Sequence, residues 1–180
     1  MKVTDRDIAA WLRQEPEKGF RQLVSRFSEP IYWHVRRMVV SHADAQDVVQ
    51  ETFLKIFKSS ADLRDDDSLK SWVYRIATNE ALRHLRKNSL ESYPIDDAPA
   101  GLLELRADEY TDYSDLEAVK LQKAINSLPE KQRVAFNLRY YDELSYEEIA
   151  EITGSTPASA KVSYHIAKNR VINFMNNHDS

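Results

Sequence analysis

The sequence predicts an all-α protein in which two small helical domains are joined by an acidic linker. Helix-forming residues dominate the 180-residue chain, only three residues are glycine, and no long stretch alternates apolar and polar residues as a strand does. Residues 89–115 carry eight acidic residues against one arginine, and two prolines there interrupt the helical periodicity. Residues 142–171 contain two capped helical segments. We therefore expect domains at residues 15–88 and 116–178, with the linker at 89–115.

Composition excludes several classes of protein. The chain has no cysteine, so disulfide bonds and thiolate metal sites are excluded. Its five histidines have no spacing typical of metal ligands, and we predict neither a metal site nor a cofactor. No stretch is apolar enough to span a membrane, and the polar N-terminus lacks a signal-peptide core. We therefore expect a soluble, cytoplasmic protein.

The net charge of −4 comes from the linker. Residues 1–88 carry 16 Lys or Arg against 13 Asp or Glu, residues 89–115 have a charge of −7, and residues 116–180 are neutral overall. The acidity of the whole chain is therefore weak evidence against nucleic-acid binding. Any contact with DNA must come from local basic surfaces.

Four helices are predicted before the linker. Residues 4–14, 17–40, 44–58 and 68–87 carry apolar residues at helical spacing, with Thr4 as a cap for the first. Pro30 indicates a break or kink in the second helix. The third has an acidic and amide-rich outer face, which is either ordinary solvated surface or a docking face for a partner. After the linker, we expect helices at 116–127 and 129–141. Ser127, Pro129 and Glu130 mark the start of the latter.

The helix at 68–87 has a second face that the core does not need. Its polar members recur at steps of four, four and three and so lie along one side: Arg75, Asn79, Arg83 and Arg86. Arginine binds phosphate, asparagine can pair with a base edge, and the nearby rings of Trp72 and Tyr74 suit stacking on unpaired bases. Alternatively, Trp72 belongs to the core and the arginines form a solvated face. The pattern alone leaves both interpretations open.

Residues 142–171 are predicted to form two short helices joined by a tight turn. Ser145 and Glu148 have the spacing of a capping box, and Gly154 stands where a left-handed residue would end the first helix. Thr156 can cap the second helix. The buried stripe of that helix is predicted at Ala160, Tyr164, Ala167 and Val171. This layout is typical of a helix-turn-helix whose second helix enters a DNA major groove, and we favour it over an ordinary helical hairpin.

Taken in order, these parts resemble a bacterial RNA polymerase sigma factor of the extracytoplasmic-function (ECF) type, over residues 15–175. DAQDVVQETFLKIF at 44–57 resembles the region 2 motif that docks on the polymerase clamp helices. SWVYRIATNEALRHLRK at 71–87 resembles the part that melts and reads the −10 promoter element. Residues 128–171 resemble region 4, which reads the −35 element.

The resemblance implies three sets of binding residues. The polymerase-binding set is Asp44, Asp47, Gln50, Glu51, Phe53 and Phe57. The −10 set is Trp72, Tyr74, Arg75, Asn79, Arg83 and Arg86, and the loop at 59–68 matches the loop that captures a flipped base in this family. The −35 set is Arg139, Thr156, Ser159, Lys161, Ser163, His165 and Lys168, whose members on the second helix after Thr156 are expected off its buried stripe.

The resemblance also implies a dissociable initiation subunit without catalysis of its own. Its expected partners are core RNA polymerase, promoter DNA as a −35 duplex and a melted −10 non-template strand, and an anti-sigma factor, without direct membrane insertion. The chain departs from the family pattern at Ser163 and Ile166, where arginine is frequent, so its phosphate contacts should be weaker or differently arranged. Three consecutive acids at 65–67 also depart from what a loop approaching single-stranded DNA would be expected to carry.

Three other classes of function are weighed against this interpretation. A stand-alone helix-turn-helix regulator would bind DNA without polymerase, usually at paired half-sites one helical turn apart. An enzyme is disfavoured because the sequence has no Ser/His/Asp arrangement, Gly-rich phosphate loop or HExxH motif. A helical scaffold that binds only protein would leave the arginine stripe at 75–86 without a purpose.

Overall fold

The computed structural model describes residues 2–39, 41–64, 68–92 and 116–177. Within these ranges the chain forms eight α-helices and no strand, which confirms the predicted all-α fold. Most of the predicted linker lies outside the described residues. The helices are α1 (Asp5–Gln14), α2 (Pro16–Met38), α3 (His42–Lys58), α4 (Leu69–Ser92), α5 (Leu116–Asn126), α6 (Glu130–Tyr140), α7 (Tyr146–Thr153) and α8 (Pro157–Asn177).

The first two helices pack tightly against each other. Thr4 caps α1 in a reciprocal capping box with Asp7, and Pro16 opens α2 at a position where a missing N–H costs nothing. A Cβ at Gly19 would lie only 2.7 Å from the carbonyl carbon of Trp11. The backbones of α1 and α2 therefore approach each other at a point that admits only glycine.

The break or kink expected at Pro30 is not a helix boundary, because α2 continues to Met38. Proline in a helix interior removes one hydrogen bond and crowds the preceding turn. Here the flanking apolar residues Phe27, Ile31 and Val35 are all buried in the core. Their burial offsets the lost hydrogen bond and keeps the helix intact.

The N-terminal domain is completed by α3 and α4. The Ser41 hydroxyl accepts a hydrogen bond from the Asp44 N–H at 3.0 Å and so caps α3. Helix α4 buries Val73, Ala77 and Ala81 against α2 and α3. It extends to Ser92, so the helix ends later than the predicted boundary at residue 89.

The C-terminal domain consists of α5 to α8. Its own core contains Ile125, Leu128, Phe136 and Val171. The predicted start of α6 is correct, but the predicted cap is not. Pro129 precedes the helix without a side-chain cap, while the Ser127 hydroxyl donates instead to the Ala124 carbonyl at 2.6 Å. Ser127 therefore closes the end of α5.

The two domains are packed together, mainly through α7 and α4. Leu144, Ile149 and Ile152 of the C-terminal domain belong to the same buried cluster as Trp72 and Val73 of α4. A group of polar side chains crosses the interface, and we call it the interdomain polar cluster: His34, Arg37, Tyr74, Thr78 and Asp142. The domains are thus closed on each other rather than splayed apart.

Candidate nucleic-acid and polymerase interfaces

The predicted basic stripe lies on the exposed side of α4. Arg75, Asn79, Arg83 and Arg86 are all exposed, in agreement with their helical spacing. The Arg86 guanidinium contacts the Glu130 carboxylate at 2.7 Å, and Arg83 lies 3.7 Å from Glu80. The side chains of Arg83 and Arg86 are about two-thirds exposed. Ion pairs this exposed contribute little to stability. Both arginines can therefore exchange a carboxylate partner for a phosphate at a small cost in free energy.

The two aromatic members of the −10 set are buried. Trp72 is 6% exposed and Tyr74 is 4% exposed, so the prediction that both rings are available for stacking is wrong in this arrangement. Tyr74 packs edge-on against His34, with ring centroids 5.2 Å apart. Burial, followed by the negative charge of Asp142, raises the pKa of Tyr74 well above its usual value. The alternative interpretation, in which Trp72 belongs to the core, is confirmed.

A groove of 500 Å³ lies between α4 and the segment that follows α3. It is lined by Ser59, Asp62, Arg64, Trp72, Arg75 and Ile76. The lining combines Trp72 and Ile76 with two arginines, an aspartate and a serine, so it suits a polar or charged ligand better than an apolar one. Residues 65–67 of the predicted base-capturing loop lie outside the described residues.

The outer face of α3 combines acidic residues with an apolar groove. Of the predicted polymerase-binding set, Asp47, Gln50, Glu51 and Phe57 are exposed, Asp44 is half-buried and Phe53 is 9% exposed. Phe57 packs edge-on against Phe20 of α2, with ring centroids 5.1 Å apart. The groove has a volume of 440 Å³ and is lined by Phe20, Val24, Val49, Gln50, Phe53, Leu54 and Phe57. Leu54 is not among the residues predicted for this face. The structure shows it 46% exposed and lining the groove, where it can make an apolar contact.

Helices α7 and α8 form the predicted helix-turn-helix. Both hydrogen bonds of the Ser145–Glu148 capping box are present, at 3.1 and 3.0 Å. Gly154 ends α7 in the left-handed conformation with φ of 67°. The Thr156 hydroxyl accepts from the Ser159 N–H at 3.1 Å and starts α8. The short sequence signals therefore placed both helices and the turn correctly.

The −35 set divides between exposed and structural positions. Lys161, His165 and Lys168 are exposed on α8, and Ser159 is half-buried. Ser163, expected off the buried stripe, is 8% exposed, so that prediction is wrong. It lies one turn after Ala160, on the side of α8 that packs against α7.

Arg139 lies in the last turn of α6. Its guanidinium donates to the Leu144 carbonyl at 2.9 Å and lies 4.6 Å from the centre of the Tyr146 ring. These contacts hold the connection between α6 and α7. The guanidinium of Arg139 would therefore have to keep these contacts while also binding a phosphate.

Two exposed apolar residues of α8 were missed as interface residues. Val162 is 57% exposed and Ile166 is 41% exposed. They are four residues apart, away from the buried Ala160, Ala167 and Val171. The sequence contains a signal for them, because two apolar residues at helical spacing lie outside the predicted buried stripe.

The described part of the chain has no cluster of His, Cys, Asp or Glu arranged to hold a metal ion. None of the helices it contains is long and apolar enough to cross a membrane. Three exposed surfaces of the described residues are candidates for binding a partner: the basic stripe of α4, the apolar groove of α3 and the outer face of α8. Two helical domains, one with a helix-turn-helix and the other with a basic helix face, define an architecture typical of DNA-binding proteins.

Comparison with known proteins identifies the family. Residues 23–91 match the family model for sigma-70 region 2, and residues 118–171 match that for sigma-70 region 4. The chain is 32% identical over 160 residues to the ECF RNA polymerase sigma-E factor of Escherichia coli K12, covering 84% of this chain and 83% of the relative. It is 34% identical over 162 residues to the corresponding factor of Haemophilus influenzae, covering 84% of each.

Solved structures agree on the fold. CnrH in complex with the cytosolic domain of CnrY is 20% identical, with a TM-score of 0.76 and coverage of 98% of this chain and 99% of that one. The sigma factor RpoE from Bartonella quintana, in complex with the anti-sigma factor NepR, is 24% identical. Its TM-score is 0.69, with 91% of this chain and 99% of that chain covered.

The chain belongs to the sigma-70 family and is a sigma factor of the ECF type. It directs RNA polymerase to promoters, and the stand-alone regulator is not favoured.

Proposed function

We propose that the outer face of α3 is the main contact with core RNA polymerase. Exposed Asp47 and Glu51 lie beside an apolar groove that includes the half-exposed Phe57 and Leu54. Acidic side chains next to partly exposed apolar ones suit a protein contact, because the apolar contacts supply affinity and the charges select a basic partner. The proposal rests on one observation, that exposed acidic and exposed apolar side chains lie together on α3.

The test is the binding of this protein to core RNA polymerase, with wild type beside the double variant Asp47→Lys, Glu51→Lys. We expect tight binding by wild type and a loss of at least tenfold in the variant, because two favourable charges become repulsive. A matched control is Glu29→Lys, Glu117→Lys, which makes the same change in net charge at exposed positions outside α3. Equal losses in both variants would contradict a role specific to α3.

The −10 contact is assigned to α4 and the adjoining groove. Arg75, Arg83 and Arg86 supply phosphate contacts, and Asn79 supplies a base-edge contact. The groove beside Trp72 and Arg75 has the size and polarity for an extruded base of the non-template strand. Replacing Asn79 or Arg83 with alanine should lower promoter melting by holoenzyme without weakening binding to core polymerase. Permanganate reactivity of unpaired thymines would measure melting.

The −35 contact is assigned to α8. Lys161, His165 and Lys168 lie on its exposed side, and Thr156 and Ser159 lie at its N-terminus, where backbone N–H groups favour phosphate. Few cations mean little counterion release, so the isolated protein should bind promoter DNA weakly and depend on polymerase for stable binding.

The protein acts in the cytoplasm as a dissociable subunit without catalysis of its own, controlled by an anti-sigma factor. The likeness to two sigma factors whose structures contain CnrY or NepR supports the last point. We propose domains at 15–88 and 116–178 with a linker between them, and the separate matches at 23–91 and 118–171 support a division into two domains.

A further inference from the structure

We propose that Val162 and Ile166 read the C5-methyl groups of thymines in the −35 element. This inference rests on the proposed contact between α8 and the −35 duplex and names what the contact recognises. Val162 is 57% exposed and Ile166 is 41% exposed. Because they are four residues apart on one helix, their side chains are neighbours and form one small apolar surface.

This surface lies on the part of α8 that remains available to DNA. Ala160, Ser163, Ala167 and Val171 are buried against the rest of the domain. Val162 and His165 stand opposite these positions on the helix, and Ile166 stands beside Val162. In a helix-turn-helix, the residues near the N-terminus of the second helix contact base edges. Val162 and Ile166 fall in the second and third turns of α8, within this region.

Charge favours base contacts over phosphate contacts at this surface. Lys161 and Lys168 are both exposed on one side of the apolar pair, whereas Glu147 and Glu151 are exposed on the neighbouring helix α7. The Arg170 guanidinium already donates to the Gln132 side chain at 2.8 Å. Phosphate binding is therefore limited here, and a larger share of the affinity must come from contacts with base edges.

The chemistry of the DNA major groove identifies what this apolar surface can contact. Guanine, adenine and cytosine present only hydrogen-bond donors and acceptors to the major groove, while thymine also presents a methyl group. Aliphatic side chains such as those of Val162 and Ile166 have no hydrogen-bonding groups and would leave polar base edges without partners. The thymine methyl is the base feature that they can contact favourably.

The test uses holoenzyme reconstituted from the full chain and core RNA polymerase. Transcription from a promoter library with a randomised −35 element gives the preferred sequence. Each thymine in it is then replaced by deoxyuridine, which lacks only the methyl group. We expect at least one replacement to lower promoter binding by about fourfold, the effect of losing one buried methyl contact.

The variants Val162→Ser and Ile166→Ser, whose new side chains carry no methyl group, should remove this difference between thymine and deoxyuridine. Ile172→Ser is the matched control, because Ile172 is also exposed on α8 but lies nearer its C-terminus. That variant should keep the wild-type discrimination. Circular dichroism would establish that all three variants remain helical.

Two results would overturn the inference while leaving the proposed function intact. One is a holoenzyme that transcribes but binds thymine and deoxyuridine promoters equally. The other is loss of binding in the Val162→Ser and Ile166→Ser variants by the same factor on both promoters, which would place a protein partner on this surface. A chain that neither binds core polymerase nor supports transcription from any library member would instead overturn the proposed function.

Discussion

Asp142 lies in the loop before the helix-turn-helix and accepts hydrogen bonds from the other domain. Its carboxylate lies 3.1 Å from His34 Nδ1 and 2.8 Å from an Arg37 nitrogen. The second ring nitrogen of His34 lies 2.8 Å from the Thr78 hydroxyl. With a proton on Nδ1, His34 donates to Asp142, and its Nε2 can accept from the Thr78 hydroxyl. Asp142 thus pairs with His34 and with Arg37 across the two domains.

Tyr74 makes the stability of the protein sensitive to alkaline pH. Its pKa is raised in the folded state from a usual value of 10.0, chiefly by burial. The unfolded chain therefore ionises first, so the stability due to neutral Tyr74 is complete below about pH 10 and is lost as the pH rises further.

In Tyr74→Phe, which retains the buried ring, we expect a smaller fall in the free energy of unfolding between about pH 9 and about pH 11 than in wild type. Urea denaturation at the two pH values measures the difference. Tyr140→Phe is a suitable control, because the ring of Tyr140 is 52% exposed. Equal slopes for Tyr74→Phe and wild type would contradict a raised pKa at Tyr74.

At the scale of the element, α1 depends on its close approach to α2 at Gly19. A Cβ there would lie 2.7 Å from the carbonyl carbon of Trp11 and 2.8 Å from the Cα of Leu12. Since these are backbone atoms, the helices would have to move apart, and Gly19→Ala should destabilise the protein by about 1–3 kcal/mol. Urea denaturation measures this cost. Ser25→Ala, at an exposed position on the same helix, should change stability by less than about 0.5 kcal/mol.

The turn between α7 and α8 depends on Gly154 for a different reason. Nothing lies within 4 Å of a Cβ at this position, but its φ of 67° is in the left-handed region. Gly154→Ala should cost about 1–2 kcal/mol from backbone strain alone, and Gly154→Asn should cost less because asparagine tolerates this conformation. Thermal unfolding measured side by side would separate the two. Equal losses would indicate a steric cause instead.

Local signals in the sequence predicted the elements well. Capping residues and one glycine placed the helix-turn-helix, and the spacing of four and three placed the arginine stripe on the exposed side of α4. Side chains at the margins of a stripe were harder to place. Ser163 lies one turn after Ala160 and is buried, but its polar side chain gives none of the apolar signal that marks a buried position. The contact between His34 and Asp142 joins residues 108 positions apart, and no pattern within one sequence encodes such a pairing.

At the scale of the whole molecule, the closed arrangement cannot read both promoter elements. The −35 and −10 elements are about 25 base pairs apart by their positions, or roughly 80 Å along B-form DNA. Helix α7 of the helix-turn-helix instead packs directly against α4, which carries the basic stripe. The two domains must therefore separate before both contacts can form on one promoter.

Asp142→Ala should open the closed arrangement. The change leaves His34 and Arg37 without their shared partner, and breaking a buried ion pair costs about 3–5 kcal/mol. We expect a larger radius of gyration by small-angle X-ray scattering with unchanged helix content. Arg86→Ala is the matched control, because its pair with Glu130 also crosses the interface but is exposed and contributes less than about 1 kcal/mol. An unchanged radius for Asp142→Ala would show that apolar contacts alone keep the domains closed.

The apolar part of this interface has a thermal consequence. Separation of the domains would expose Leu144, Ile149 and Trp72, which share one buried cluster, to water. Exposure of apolar surface raises the heat capacity, so the free energy of separation curves with temperature and passes through a maximum. Cooling below that maximum weakens the closed form, as does heating above it. The fraction of molecules able to span a promoter should therefore change with growth temperature even when the protein concentration is constant.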